Sequence, residues 1–112
     1  MPNEHEAPFS EIDPARAERL YLLAEECAEL QHKIMKTLRH GMKSYNPLIE
    51  GTAPTNQEEM EFEVGDIMFA MDLCFKNGDM NRTRAEAGKG LKSAKVWKYL
   101  HHNTREKNWE GR

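Results

Sequence analysis

Glu58–Asn77, EEMEFEVGDIMFAMDLCFKN, is the stretch that decides the fold. Read as a helix at about 100° per residue, it sets Met60, Val64, Ile67, Met71 and Cys74 on one apolar face. Phe62, Phe69 and Leu73 make a second face, roughly opposite. Between them runs an acidic line of Glu59, Glu63 and Asp66, spaced i, i+4 and i+7. A helix that is apolar nearly all round is expected to be buried. Buried carboxylates are costly unless positive charge compensates them. The stretch therefore predicts a helical core with cations held against it.

The flanking sequence supports helices on both sides. Thr55, with Glu58 three residues on, matches a capping box that opens the central helix, and Asn77-Gly78-Asp79 closes it. Upstream, Asp13-Pro14 reads as an N-cap followed by proline at the first helical position. A helix is expected from there to about Arg39, with Leu20, Leu23, Ala24, Cys27, Ile34 and Leu38 as its core stripe and Gly41 as its stop. Residues 42–54 (MKSYNPLIEGTAP) carry turn residues and read as a long loop, a length more often functional than merely connecting. Asn81 caps a third expected helix running to about His102. Gly88 and Gly90 within it each cost roughly 1 kcal/mol against alanine, which predicts a packing or ligand reason for them. No strand signal is present. The expected fold is all-α, with antiparallel turns between helices. It comprises a flexible segment over 1–12, a single helical domain over 13–102 and a flexible tail over 103–112.

Composition narrows the function classes. With 112 residues the chain makes one small domain with a thin core. A net charge of −3 gives no global positive field for nucleic acid. No apolar run approaches the about 18 residues of a membrane span, and the N-terminus lacks a signal-peptide pattern. Cys27 and Cys74 both sit at apolar helical positions, so buried free thiols are expected, and with them a cytoplasmic location.

The chemistry concentrates in carboxylates. In AEECAELQHK, taking Leu20 as zero, Glu25, Glu26 and Glu29 fall at roughly 140°, 240° and 180° around the first helix. The expected core stripe centres near 340°, so these acids face away from it, with Leu22 among them. Two acidic helical faces repel unless cations lie between them or they point apart. Mg²⁺ takes such oxygens and bridges to phosphates. Glu26 with Glu29, and Glu63 with Asp66, share the i, i+3 spacing that lets two carboxylates hold one ion. This gives a four-carboxylate site between helices one and two, with Glu25 and Glu59 as outer members.

EECAE followed by EVGD resembles the EExxE … ExxD signature of the MazG-like all-α nucleoside triphosphate pyrophosphohydrolases. The resemblance spans about Leu20 to His102. It implies a helical bundle completed as a homodimer or homotetramer. It also implies Glu26, Glu29, Glu63 and Asp66 as catalytic Mg²⁺ ligands, with Mn²⁺ as a substitute and Glu25 as an outer or additional ligand. The implied reaction cleaves a nucleoside triphosphate between the α- and β-phosphates, giving the monophosphate and pyrophosphate. Lys33 and Lys36 lie beside the acidic face, and the resemblance adds Lys89 and Lys92 as phosphate contacts from the third helix. For the base, the candidates are Leu22, Phe69, Tyr45 and Asn46. The gap of 33 residues between Glu29 and Glu63 exceeds the family's usual one. The surplus falls in the 42–57 loop, where substrate choice is expected. Single-domain relatives favour a deoxynucleotide, with purines such as dGTP or dATP ahead of dUTP or dCTP.

Two other readings fit parts of the pattern. Glu29-Leu30-Gln31-His32 has the Glu-x-x-His form of a di-iron bundle. No second copy exists, and Asp66 stands where the second histidine would fall. A non-catalytic helical module with acidic faces for a basic partner is the other alternative.

Overall fold

The computed structural model describes residues 12–49 and 51–110, and the expected flexible segment at 1–12 lies almost wholly outside them. The described residues are mostly helical, and the only strand-like pairing among them is an isolated antiparallel bridge between Tyr45 and Thr55. The fold class is all-α. No helix among the described residues is long and apolar enough to cross a membrane. The chain divides into two compact units, one ending at Asp79 and the other beginning at Met80.

The first unit is a helical hairpin. Helix α1 (Pro14–His40) starts where the Asp13 carboxylate accepts the Arg16 amide at 2.8 Å. It stops at Gly41, whose φ of 97° suits glycine and whose amide donates to Thr37 O. Helix α2 (Asn56–Lys76) opens on a complete capping box. The Glu58 amide donates to Thr55 Oγ1 and the Thr55 amide donates to Glu58 Oε1. The loop between them is pinned at its base. The Asn56 amide donates to Ser44 O at 2.7 Å, and its side-chain nitrogen donates to Gly41 O at 3.0 Å. The helices run antiparallel: the start of α1 reaches the end of α2 through Arg16, Arg19 and Asp79, and the end of α1 reaches the start of α2 through Lys36 and Glu59.

The face that α1 turns to α2 differs from the expected one. Arg19, Leu22, Leu23, Glu26, Leu30, Lys33 and Thr37 are half-buried or buried. They centre near about 250° on the scale used above. Of the expected stripe, Leu20 and Leu23 are half-buried, whereas Ala24, Cys27, Ile34 and Leu38 are exposed, Leu38 by 74%. Hydrophobic periodicity locates the apolar residues of a helix, not the neighbour that covers them. On α2 the inward residues are Asn56, Glu63, Ala70 and Cys74. Phe62, Val64 and Phe69, expected on covered faces, are exposed. The cysteines also divide: both are free, with Cys74 buried and Cys27 exposed.

The second unit begins with α3 (Arg82–Lys95), capped by Asn81, whose side chain accepts the Arg84 amide. The helix does not reach His102; it tightens into a 3₁₀ turn over Val96–Tyr99. A Cβ added at Gly88 or Gly90 would meet nothing within 4 Å, so no close approach among the described residues accounts for either glycine. Glu106–Glu110 forms a further helical turn within the stretch expected as a flexible tail.

Candidate metal centre

Because the inward face of α1 centres near Glu26, this side chain is carried into the seam with α2 and not away from it. There it meets Glu63, which lies about two turns from both Asn56 and Ala70 on the inward side of α2, and Asp66 from the next turn. Ligand-type oxygens of Glu26, Glu63 and Asp66 all lie within 4.8 Å of one another. Glu63 is buried, Glu26 half-buried and Asp66 exposed, so the cluster has a closed floor and an open mouth. Asp66, expected to be buried, supplies the solvent side.

Three converging carboxylates need compensation, and Lys33 provides part of it. Its ammonium donates to Glu63 Oε1 at 3.1 Å. Partial burial works against the Lys33 charge, but Glu63, with Glu59 and Glu29 beyond it, outweighs burial and holds the ammonium above its ordinary pKa. The other oxygen, Glu63 Oε2, is buried and meets no hydrogen-bond donor among the described residues. Glu26 can act as a donor to Glu63 only when it is protonated. The shared contact with Glu63, burial and the nearby Asp66 together push Glu26 up to about 7. Glu63 itself is held below its ordinary value by Glu26 and Lys33 against the effect of burial. Near neutral pH the pair therefore competes for one positive partner, whether a proton or a cation.

The donor set fits a hard divalent ion. It is all oxygen, offers an orphaned buried acceptor and opens to solvent on one side, as expected for an ion that keeps waters and bridges to phosphate. His32 does not belong to it.

The remaining expected residues spread outward. Glu29 is exposed and lines a groove with His32, Lys33, Lys36 and Glu59, outside the three-carboxylate cluster. Lys36 crosses that groove to Glu59 at 3.4 Å, so Lys33–Glu63 and Lys36–Glu59 form two successive rungs between the helices. Glu25 and Leu22 line a separate cleft with Tyr21 near the start of α1. Tyr45 and Asn46 line another with Lys36, His40 and Asn56 at the loop, and Asn46 Oδ1 accepts the Leu48 amide. Phe69 is 63% exposed on α2. Lys89 and Lys92 are exposed on α3 in the second unit.

Sequence reasoning missed the direct Lys33–Glu63 pair. The signal was present: Arg19, Glu26, Lys33 and Thr37 recur at seven- and four-residue intervals, the same face of α1. It also missed the role of Asp79, read only as part of a turn.

Comparison with protein-family models, with curated proteins and with solved structures gave no match for this chain.

Proposed function

We propose that the protein is a Mg²⁺-dependent nucleoside triphosphate pyrophosphohydrolase of the MazG-like all-α kind, acting on a deoxynucleotide, with purines favoured. The observation that carries this reading is the meeting of Glu26, Glu63 and Asp66 from two helices around a buried, unpartnered carboxylate oxygen. Glu26, Glu63 and Asp66 would hold the ion. Bound there, Mg²⁺ supplies charge neutralisation of the triphosphate and a water of lowered pKa.

The chain's own residues do the rest. Glu26 and Lys33 together favour the ionised form of Glu63, Lys33 by pairing with Oε1. Lys36, on the open groove beside it, offers its ammonium to phosphate oxygens once it releases the partly exposed Glu59. Glu29 lines the same groove and is not used in the cluster, which makes it the carboxylate placed to accept the proton of the attacking water. The water oxygen would bond to the α-phosphorus as the α–β anhydride bond breaks, leaving the monophosphate, with pyrophosphate departing towards Lys36. The exposed apolar residues of α1 and α2 support assembly as a homodimer or homotetramer.

The test is to incubate the purified protein with each NTP and dNTP plus Mg²⁺ and to measure pyrophosphate. Release from at least one deoxynucleotide is expected, falling by roughly a hundredfold or more in Glu63→Gln. A folded protein that releases none from any substrate would sink the reading.

A further inference from the structure

The seam between α1 and α2 continues past the carboxylate cluster to the loop. On α2, Asn56 stands roughly two turns and 10 Å before Glu63. On α1, Lys33, Lys36 and His40 follow one another towards the helix end. Lys36 borders two hollows: the groove with Glu29 and Glu59, and a cleft of about 300 Å³ with His40, Ser44, Tyr45, Asn46 and Asn56.

The walls of that cleft are tied in place. Tyr45 pairs with Thr55 in the antiparallel bridge, and the Asn56 amide donates to Ser44 O. Its two side-chain amides are each fixed end for end by a backbone group of known polarity. Asn46 Oδ1 accepts the Leu48 N–H at 2.9 Å, which leaves its NH₂ group to donate. Asn56 Nδ2 donates to Gly41 O at 3.0 Å, which leaves Oδ1 to accept, on a residue only 3% exposed. Neither remaining end meets a partner among the described residues. Beside them the Tyr45 side chain is exposed. An aromatic plate with one fixed donor and one fixed acceptor suits a nucleobase, which stacks by its face and is read at its edge.

We propose that this cleft takes the base of the nucleotide, with the phosphates on the groove side of Lys36. Tyr45 stacks on the base, Asn46 donates to an acceptor on its edge, and Asn56 Oδ1 accepts from an N–H of the same edge. This rests on the nucleotide reading above. It selects Tyr45 and Asn46 over Leu22, whose cleft shares no residue with the groove.

Two measurements on the full chain test it. In NMR spectra of the ¹⁵N-labelled protein with Mg²⁺, dGMP or dAMP should move the side-chain amide signals of Asn46 and leave those of Asn108, in the second unit, in place. In pyrophosphate release from the four dNTPs, Tyr45→Ala should lose roughly ten- to hundredfold in kcat/KM, most of it recovered by Tyr45→Phe. Asn46→Asp keeps an acceptor for Leu48 but replaces the donor with an acceptor. The best wild-type base should therefore lose most, and the order of bases should change. Asn46 signals that do not move, or equal losses for all four bases in Asn46→Asp, as charge alone would give, overturn the subsite. Release by wild type then keeps the hydrolase reading. If wild type releases nothing, that reading falls: Asn46 signals that still move keep the cleft as a nucleotide-binding site, and signals that stay overturn both.

Discussion

Arg19 donates from Nε to Asp79 Oδ2 at 2.6 Å and from a terminal nitrogen to Asp79 Oδ1 at 2.8 Å, tying the start of α1 to the residue just beyond α2. Arg16 adds a second guanidinium at 2.8 Å, and the Asp79 side chain is wholly shielded from solvent. Planar, two-pronged pairs of this kind are the stronger class of charged hydrogen bond. Removing one partner would strand a buried charge.

Asp79 should make stability fall in acid. Its Arg19 hydrogen bonds, with Arg16, overcome the burial that opposes ionisation and hold its carboxyl well below the usual carboxylate range. A group depressed on folding contributes stability above its unfolded pKa, about 3.9 for aspartate, and loses it as pH falls through the folded value. Thermal melts at pH 6 and pH 3 should show a larger drop for wild type than for Asp79→Asn. At pH 6 Asp79→Asn should melt several degrees lower.

Metal should stabilise the folded chain. A ligand at a hundred times its dissociation constant contributes about 2.7 kcal/mol. Mg²⁺ or Mn²⁺ should therefore raise the melting temperature of wild type and not that of Glu63→Gln. Equal shifts in the two proteins, followed by calorimetry, would count against Glu63 as a ligand.

The glycines of α3 should be improvable. With open space around the Cβ positions at Gly88 and Gly90, alanine at either should stabilise by about 0.4–1 kcal/mol, as read by urea unfolding. A loss of stability would mean that an assembled or liganded state brings another surface close to that face.

Assembly should depend on the flank where Ile34 and Val64 are both exposed and line one groove with Leu30, Met42 and Met60. Val64→Asp should shift sedimentation from oligomer to monomer with helix content retained. Wild type sedimenting as a monomer at micromolar concentration would end that expectation.

What could be read in the sequence was local. Asp13, Thr55 with Glu58, Gly41 and Asn81 marked helix ends correctly, because each cap is satisfied within three or four residues. The orientation of α1 was not local. Its most hydrophobic stripe, through Cys27, Ile34 and Leu38, faces solvent in the single chain, while Glu26, Lys33 and Thr37 face α2. A reader of periodicity assigns the apolar side to the nearest helix, and here the nearest helix brings a charged seam of its own. For the same reason Glu63 was placed correctly as buried and Asp66 was not: one falls on the seam, the other on its rim.

That charged seam also bears on how the hairpin responds to temperature. Ala70 and Cys74 are the only hydrophobic residues fully sequestered among those described, alongside Thr37, Asn56 and Glu63. Unfolding ordinarily raises the heat capacity by about 12–15 cal/mol/K per residue, mostly through newly wetted apolar surface. A lone hairpin has little such surface left to wet, so its stability curve should be broad and shallow, with weak cold denaturation. An assembly that covered Leu38, Val64 and Phe69 would add curvature that the lone hairpin lacks.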